Sequence, residues 1–85
     1  MEIENGIRKI LNTELFVEVP PEQIGLDDSL RAVYGLDSLG FVELRVQCED
    51  MFDVRISDQD FTPENFQSLR TVAALVRRLR TEARA

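Results

Sequence analysis

The side chain best suited to chemistry in this sequence is that of Ser38, in the segment Gly35-Leu36-Asp37-Ser38-Leu39. Asp and Ser are both frequent where a helix begins, and a segment with helical spacing of apolar residues follows them. Unpaired backbone N–H groups and the positive end of the helix dipole favour a phosphate at such a position. Ser38 is therefore explained either as the attachment point of a phosphodiester or as an N-cap with a structural role alone.

Few other side chains suit catalysis or metal binding. The chain has no histidine and one cysteine, Cys48, so the sequence has no Ser-His or Cys-His pair, no zinc-finger ligand set and no intramolecular disulfide. Cys48 lies at the middle of an apolar helical stripe, where nothing nearby in sequence is expected to lower the pKa of its thiol, so we expect a buried, unreactive residue. An 85-residue bundle also has few residues with which to line a catalytic pocket. We predict a protein that is not an enzyme and has no metal site.

The helices that position Ser38 follow from the spacing of apolar residues. This spacing predicts a first helix over about residues 2–16, a second over about residues 38–52 and a last one from about residue 69. Thr62-Pro63-Glu64 combines a capping hydroxyl, a proline and an acid, which favours one additional short helix. The predicted fold class is all-α, a small bundle of three main helices and one short helix.

A long loop is predicted between the first two helices. The Pro-Pro pair at residues 20–21 blocks helix continuation, and several Gly and Asp residues keep the chain irregular as far as residue 37. We expect this loop to be packed by its own apolar side chains, namely Ile24, Leu26, Leu30, Tyr34 and Leu36. The chain is predicted to be a single domain over residues 1–85, with disorder only in the tail from about residue 81.

The second helix has two apolar faces when its residues are placed at about 100° per position. One wide stripe is typical of a core-facing surface and comprises Phe41, Leu44, Cys48, Met51 and Phe52. The other face is an apolar strip of Leu39, Val42 and Val46, which has Glu43, Glu49, Asp50 and Asp53 around it. Packing against the long loop and docking of basic partners explain this strip equally well.

Charge and hydropathy restrict the classes of partner. The chain has 16 acidic and 10 basic residues, and a net charge of -6 repels nucleic acid and favours proteins with basic patches. Residues 1–64 hold 15 acids and 5 bases, whereas residues 65–85 hold 1 acid and 5 bases. The acidic N-terminus is unlike a signal peptide, and no apolar run approaches the roughly 18 residues that span a bilayer. We expect a cytoplasmic monomer without nucleic-acid or membrane partners.

The sequence resembles the acyl carrier proteins, which are discrete phosphopantetheine-binding carriers. The resemblance extends over Asp28-Ser29-Leu30, Gly35-Leu36-Asp37-Ser38-Leu39, Phe41-Val42-Glu43-Leu44 and Glu49-Asp50-Met51-Phe52-Asp53. It implies that Ser38 receives a 4′-phosphopantetheine arm from a phosphopantetheinyl transferase and that Asp37 helps this enzyme to engage. It also implies a partner-binding surface on the second helix, formed by Leu39, Val42, Glu43, Val46, Glu49 and Asp50.

The resemblance implies a carrier of fatty-acid or polyketide-type acyl chains as thioesters. Its partners would have basic docking patches and would include an acyltransferase and a ketosynthase. A discrete aminoacyl carrier, loaded by an adenylating enzyme, would have a similar attachment motif and remains an alternative. A rival from a different class is an unmodified acidic helical module that binds a basic protein, for which Ser38→Ala would be neutral. The sequence departs from the family pattern at Gly40, Arg45 and Gln47, and these departures bear on partner choice.

Overall fold

Three α-helices form the fold of this protein in a computed structural model that describes residues 2–84. They are α1 (Glu2–Thr13), α2 (Ser38–Phe52) and α3 (Leu69–Arg84), and a 3-10 turn at Pro21–Gln23 lies in the long loop after α1. Residues 2–84 contain no β-strand. The predicted all-α fold class, with a long first loop, is confirmed, and α2 has the bounds that the sequence predicts.

The end of α1 differs from the prediction. The helix ends at Thr13 rather than near residue 16, because the Val17 N–H donates to the Leu11 carbonyl at 2.9 Å and turns the chain. The Asn12 side-chain amide holds this turn by donating to the carbonyls of Val17 (3.1 Å) and Val19 (3.3 Å). These bonds compete with helix continuation.

The segment that begins at Thr62 forms a hydrogen-bonded turn instead of the expected short helix. The Thr62 hydroxyl accepts from the Asn65 N–H at 3.2 Å, and the Thr62 carbonyl accepts from the Phe66 N–H at 3.1 Å. The short helical element of the fold is instead the 3-10 turn of the first loop. At the other end of the chain, α3 continues through residues 81–84, where disorder was expected, and Ala85 lies outside the described residues.

The core is built from one face of each helix and from the loops between them. Its most completely buried side chains are Ile7, Ile10, Leu11, Ile24, Leu30, Leu44, Cys48, Ile56, Leu69, Val72 and Val76. Met51 was expected in the core-facing stripe of α2, but it is 46% exposed. It lies over Gly6 of α1, where a Cβ would come within 2.9 Å of the Met51 sulfur, so it covers the edge of the helix contact and not its centre.

Ion pairs connect the basic C-terminal helix, α3, to the acidic remainder of the chain. The Arg77 guanidinium donates two hydrogen bonds of 2.6 Å to the buried carboxylate of Glu4. Arg70 pairs with Asp27 at 2.6 Å, so α3 is also linked to the first loop. The opposite charges of the two parts of the sequence are therefore partly neutralised within the molecule.

The first loop is ordered by its own side chains, as predicted. Ile24, Leu30 and Leu36 are buried, and the Tyr34 hydroxyl donates to Asp28 at 2.7 Å. The Leu30 N–H donates to the carbonyl of Gln67, just before α3, and the Arg70 N–H in the first turn of α3 donates to the Leu26 carbonyl, both at 2.9 Å. This framework fixes the position at which α2 begins.

Candidate functional site

The first turn of α2 is capped by Asp37 and not by Ser38. The Asp37 carboxylate accepts from the Gly40 N–H at 2.8 Å, and the Asp37 backbone is extended, as is usual at this position. Gly35 has a φ of +71° two residues earlier, and its lack of a side chain permits the turn into the helix. The structural alternative for Ser38, that it serves as the N-cap, therefore does not apply.

Ser38 is the first residue of α2, and its side chain is exposed. Within the described part of the chain, its hydroxyl has no hydrogen-bond partner, and the same is true of the backbone N–H groups of Ser38 and Leu39. An exposed hydroxyl beside two unpaired N–H groups at the positive end of a 15-residue helix is suited to carry a phosphodiester.

An apolar groove begins at Ser38 and runs between α2 and the loop before α3. We call it the phenyl groove; it has a volume of about 220 Å³ and is lined by Ser38, Phe41, Val42, Phe61, Thr62, Pro63 and Phe66. The rings of Phe61 and Phe66 meet edge to face with 5.0 Å between their centroids, which gives this wall a fixed shape. A group attached to Ser38 would have an apolar surface beside it.

The outward apolar strip of α2 is not covered by the first loop. Leu39 is 79% exposed, and Val42 and Val46 are 48% and 43% exposed. Packing against the loop, one of the two explanations for this strip, is therefore wrong. An exposed apolar strip on one helix face is typical of an interaction surface.

The carboxylates around the strip have different environments. Glu43 is exposed and accepts from the Gln47 side chain at 2.9 Å, and Asp50 is also exposed. Glu49 is half-buried, and its carboxylate accepts from the Ile56 N–H at 2.8 Å, so it also holds the chain where it leaves α2. The structure thus brings the predicted docking residues together on one face, with one of its acids engaged inside the molecule.

Two of the departures from the family pattern have structural explanations. A Cβ on Gly40 would come within 3.3 Å of Leu36 and 3.4 Å of the Asp37 carboxylate, so the glycine leaves room for the cap. Arg45 donates twice to the Ile56 carbonyl, at 3.0 and 2.6 Å, and lies 4.9 Å above the Phe61 ring. Arg45 therefore holds one wall of the phenyl groove.

Cys48 is fully buried in α2, as the sequence predicts. Desolvation by the surrounding core raises the pKa of its thiol to about 12, and the nearby Glu49 charge acts in the same direction. At neutral pH the residue is a thiol and not a nucleophilic thiolate.

The residues that form the other wall of the phenyl groove were not predictable from the sequence pattern. Phe61 and Phe66 lie more than 20 positions beyond Ser38 in a segment without periodicity, and only folding brings them beside α2. The one signal in the sequence is the pair of aromatic residues on either side of Thr62-Pro63-Glu64. Large rings in an irregular segment need a surface to pack on, so the pair indicates a contact with a neighbouring helix.

Within residues 2–84, no helix is long and apolar enough to cross a membrane.

Comparison with known proteins agrees with this arrangement. A family model described as "Phosphopantetheine attachment site" matches residues 5–79, which is most of the chain. A protein named Aminoacyl carrier protein 2, from Bradyrhizobium diazoefficiens, is 38% identical over 42 residues, which represent 49% of this chain and 47% of that relative. The match thus spans about half the length of the relative.

Proposed function

Because this chain belongs to the phosphopantetheine attachment family, a family of carriers whose covalent cofactor is 4′-phosphopantetheine, we propose that the arm is attached to the Ser38 hydroxyl. The observation that supports this residue is the capping by Asp37, which leaves the Ser38 hydroxyl exposed and unbonded within the described residues. The arm, when bound, supplies a thiol that holds the cargo as a thioester. The chain supplies the attachment oxygen, two backbone donors for the phosphate and the surface beside it.

The attachment residue is tested by intact mass. The purified apo protein is incubated with coenzyme A, magnesium and a broad-specificity phosphopantetheinyl transferase, and wild type is compared with Ser38→Ala. Ser57→Ala, which removes another exposed hydroxyl, is the matched control. We expect one arm on wild type and on the control, and none on Ser38→Ala.

Two results would count against this assignment. An arm on Ser38→Ala would move the attachment to another residue. No arm on any variant, under conditions that modify a known carrier, would favour the unmodified interaction module.

For the cargo we propose an acyl group of the fatty-acid or polyketide type, carried for biosynthesis in the cytoplasm. The apolar walls of the phenyl groove support this, because Phe41, Phe61 and Phe66 suit an alkyl chain better than a charged group. An aminoacyl cargo from an adenylating enzyme is the second candidate, and the name of the Bradyrhizobium relative favours it.

The two cargoes are distinguished by the mass of the loaded arm. The protein is isolated from the cells that encode it, under acidic conditions that preserve thioesters, and the arm is released by fragmentation in the mass spectrometer. An acyl mass without nitrogen supports the first candidate. A mass that equals an amino acid joined to the arm supports the second and contradicts the first.

We further propose that partner enzymes dock on the exposed strip of α2. The strip offers apolar contact through Leu39, Val42 and Val46, while Glu43, Glu49 and Asp50 attract basic patches. The chain itself would catalyse nothing, since the transferase, the acyltransferase or adenylating enzyme, and the ketosynthase would perform the reactions.

A charge reversal tests this docking surface. Asp50→Lys is expected to lower kcat/KM of the transferase about 5-fold or more at low salt, whereas Glu22→Lys, an equal reversal in the first loop, should change it less than 2-fold. Equal effects of the two reversals would show that net charge matters and that the α2 surface does not.

A further inference from the structure

A second groove borders the start of α2 and is not used by the function proposed above. We call it the Phe16 groove; it has a volume of about 400 Å³ and is formed by residues 15–19, residues 33–37 and Gly40. Two of the three most exposed large apolar side chains among the described residues lie in it, Phe16 at 80% and Val33 at 58%. The third, Leu39, is adjacent to Ser38 in α2. Exposed apolar surface is thus concentrated around the attachment residue.

The backbone conformation of Phe16 is also strained in the monomer. Its φ is +57°, in the left-handed region, where a bulky residue is strained and glycine or asparagine is usual. The other non-glycine residue with positive φ among the described residues is Asp53, at +53°, which belongs to a type that tolerates this region. Because Phe16 is also exposed, burial does not compensate for the strain, and the folding of the monomer gives no reason for a phenyl ring here.

The charges around the Phe16 groove indicate the kind of partner. Its lining includes two carboxylates, Glu18 and Asp37, and no lysine or arginine. A matching surface would present an apolar pocket with basic residues at its rim. A second copy of this chain, with a net charge of -6 and the same acids in the groove, is a poor match.

The position of the groove narrows the choice of partner, and this step rests on the proposed attachment at Ser38. Enzymes that load or use the cargo react at the sulfur, at the far end of a long arm, so docking on the strip of α2 does not require them to cover the Phe16 groove as well. The enzyme that attaches the arm must bring coenzyme A to the Ser38 oxygen itself. This enzyme therefore covers the surfaces that adjoin Ser38. The Phe16 groove is one of these surfaces, because Asp37 and Gly40 line it and also lie at the start of α2.

We propose that the Phe16 groove is a docking site for the phosphopantetheinyl transferase, with the Phe16 ring as an apolar anchor in a basic-rimmed pocket of that enzyme. Large aromatic side chains in contact with a pocket often provide much of the binding free energy of an interface. In this interface Phe16 and Val33 contact the enzyme on one side of Ser38, in addition to the strip of α2.

The test measures steady-state arm transfer by a purified broad-specificity transferase at saturating coenzyme A, with the concentration of apo protein varied. Phe16→Gly is expected to raise KM for the apo protein roughly 10-fold and to leave kcat within about 2-fold. Val33→Ser should raise KM by a smaller factor. Met51→Ser is the matched control, because it removes another exposed apolar side chain near the opposite end of α2 from Ser38, and its KM should not change.

Thermal unfolding separates docking from a structural role. Since glycine relieves the strain at position 16 and little buried surface is lost, the midpoint of Phe16→Gly should not fall below that of wild type. A higher KM with an undiminished midpoint supports the proposal.

The proposal is overturned if Phe16→Gly leaves KM unchanged. It is also overturned if Phe16→Gly raises KM but lowers the thermal midpoint, while Val33→Ser leaves KM unchanged. In both cases the attachment at Ser38 still stands. Failure of wild type to accept the arm would instead contradict the attachment itself.

Discussion

The buried carboxylate of Glu4 gives a quantitative prediction for stability. Its side chain is 8% exposed and receives both hydrogen bonds from Arg77, at 2.6 Å each. These bonds lower the pKa of Glu4 from its ordinary 4.5 to about 2, against the opposing effect of burial. A shift of this size corresponds to about 3 kcal/mol at neutral pH. Because half of the Arg77 side chain is in water, which screens the pair, we expect Glu4→Gln to lower the free energy of unfolding by about 2 kcal/mol.

The sign of the pH dependence follows from the direction of the shift. A carboxyl group whose pKa is lower in the folded than in the unfolded state stabilises the fold above the unfolded value. The difference in stability between wild type and Glu4→Gln should therefore be complete above pH 4.5 and disappear as the pH falls towards about 2. The assay is urea unfolding followed by circular dichroism at a series of pH values. At neutral pH the thermal midpoint should fall by about 8–16 °C.

The control is Glu82→Gln, which removes the exposed pair between Glu82 and Arg78 at 3.2 Å. An exposed pair of this kind contributes less than about 0.5 kcal/mol. The reasoning would be refuted by a Glu4→Gln effect no larger than that of the control. It would also be refuted by a difference from wild type that stays constant between pH 2 and pH 7.

Three further predictions concern α2. Asp37→Ala, which removes the cap on the Gly40 N–H, should cost about 1 kcal/mol in urea unfolding, and Asp37→Asn should restore most of it. Arg45→Met, which removes both bonds to the Ile56 carbonyl, should accelerate hydrogen exchange of the amides of residues 56–61, and unchanged exchange would contradict its role in holding the groove wall. Cys48 should resist iodoacetamide at pH 8 in the folded protein and react in denaturant, because burial raises the pKa of its thiol to about 12.

The parts of the fold that were predictable depend on local signals. The bounds of α2 follow from Asp37 as an N-cap and from the end of the apolar spacing near Phe52, and both signals lie within the helix itself. The proposal of Ser38 as the attachment residue depends on the same local segment. The end of α1 was not predictable, because the side chain of Asn12 reaches carbonyl groups that only the fold brings near it.

The surfaces around Ser38 were harder to infer, because they combine segments distant in sequence. The phenyl groove needs Phe61 and Phe66 beside α2, and the role of Arg45 depends on the Ile56 carbonyl. No periodic pattern of residues in the sequence indicates either contact. The left-handed backbone of Phe16 was also not predictable from the sequence, because it is set by the turn that follows α1.

The burial of Cys48 has a consequence for the cargo of a carrier. An acyl thioester is exchanged readily onto any accessible thiolate, and such transthioesterification would leave the cargo on the protein itself, out of reach of the next enzyme. Cys48 lies ten residues after Ser38, roughly 15 Å along α2, which is too short a distance to protect the cargo by separation alone. The packed core hides its sulfur and keeps it protonated. With the arm on Ser38 as proposed, the arm's thiol would have no competing thiolate within the described residues.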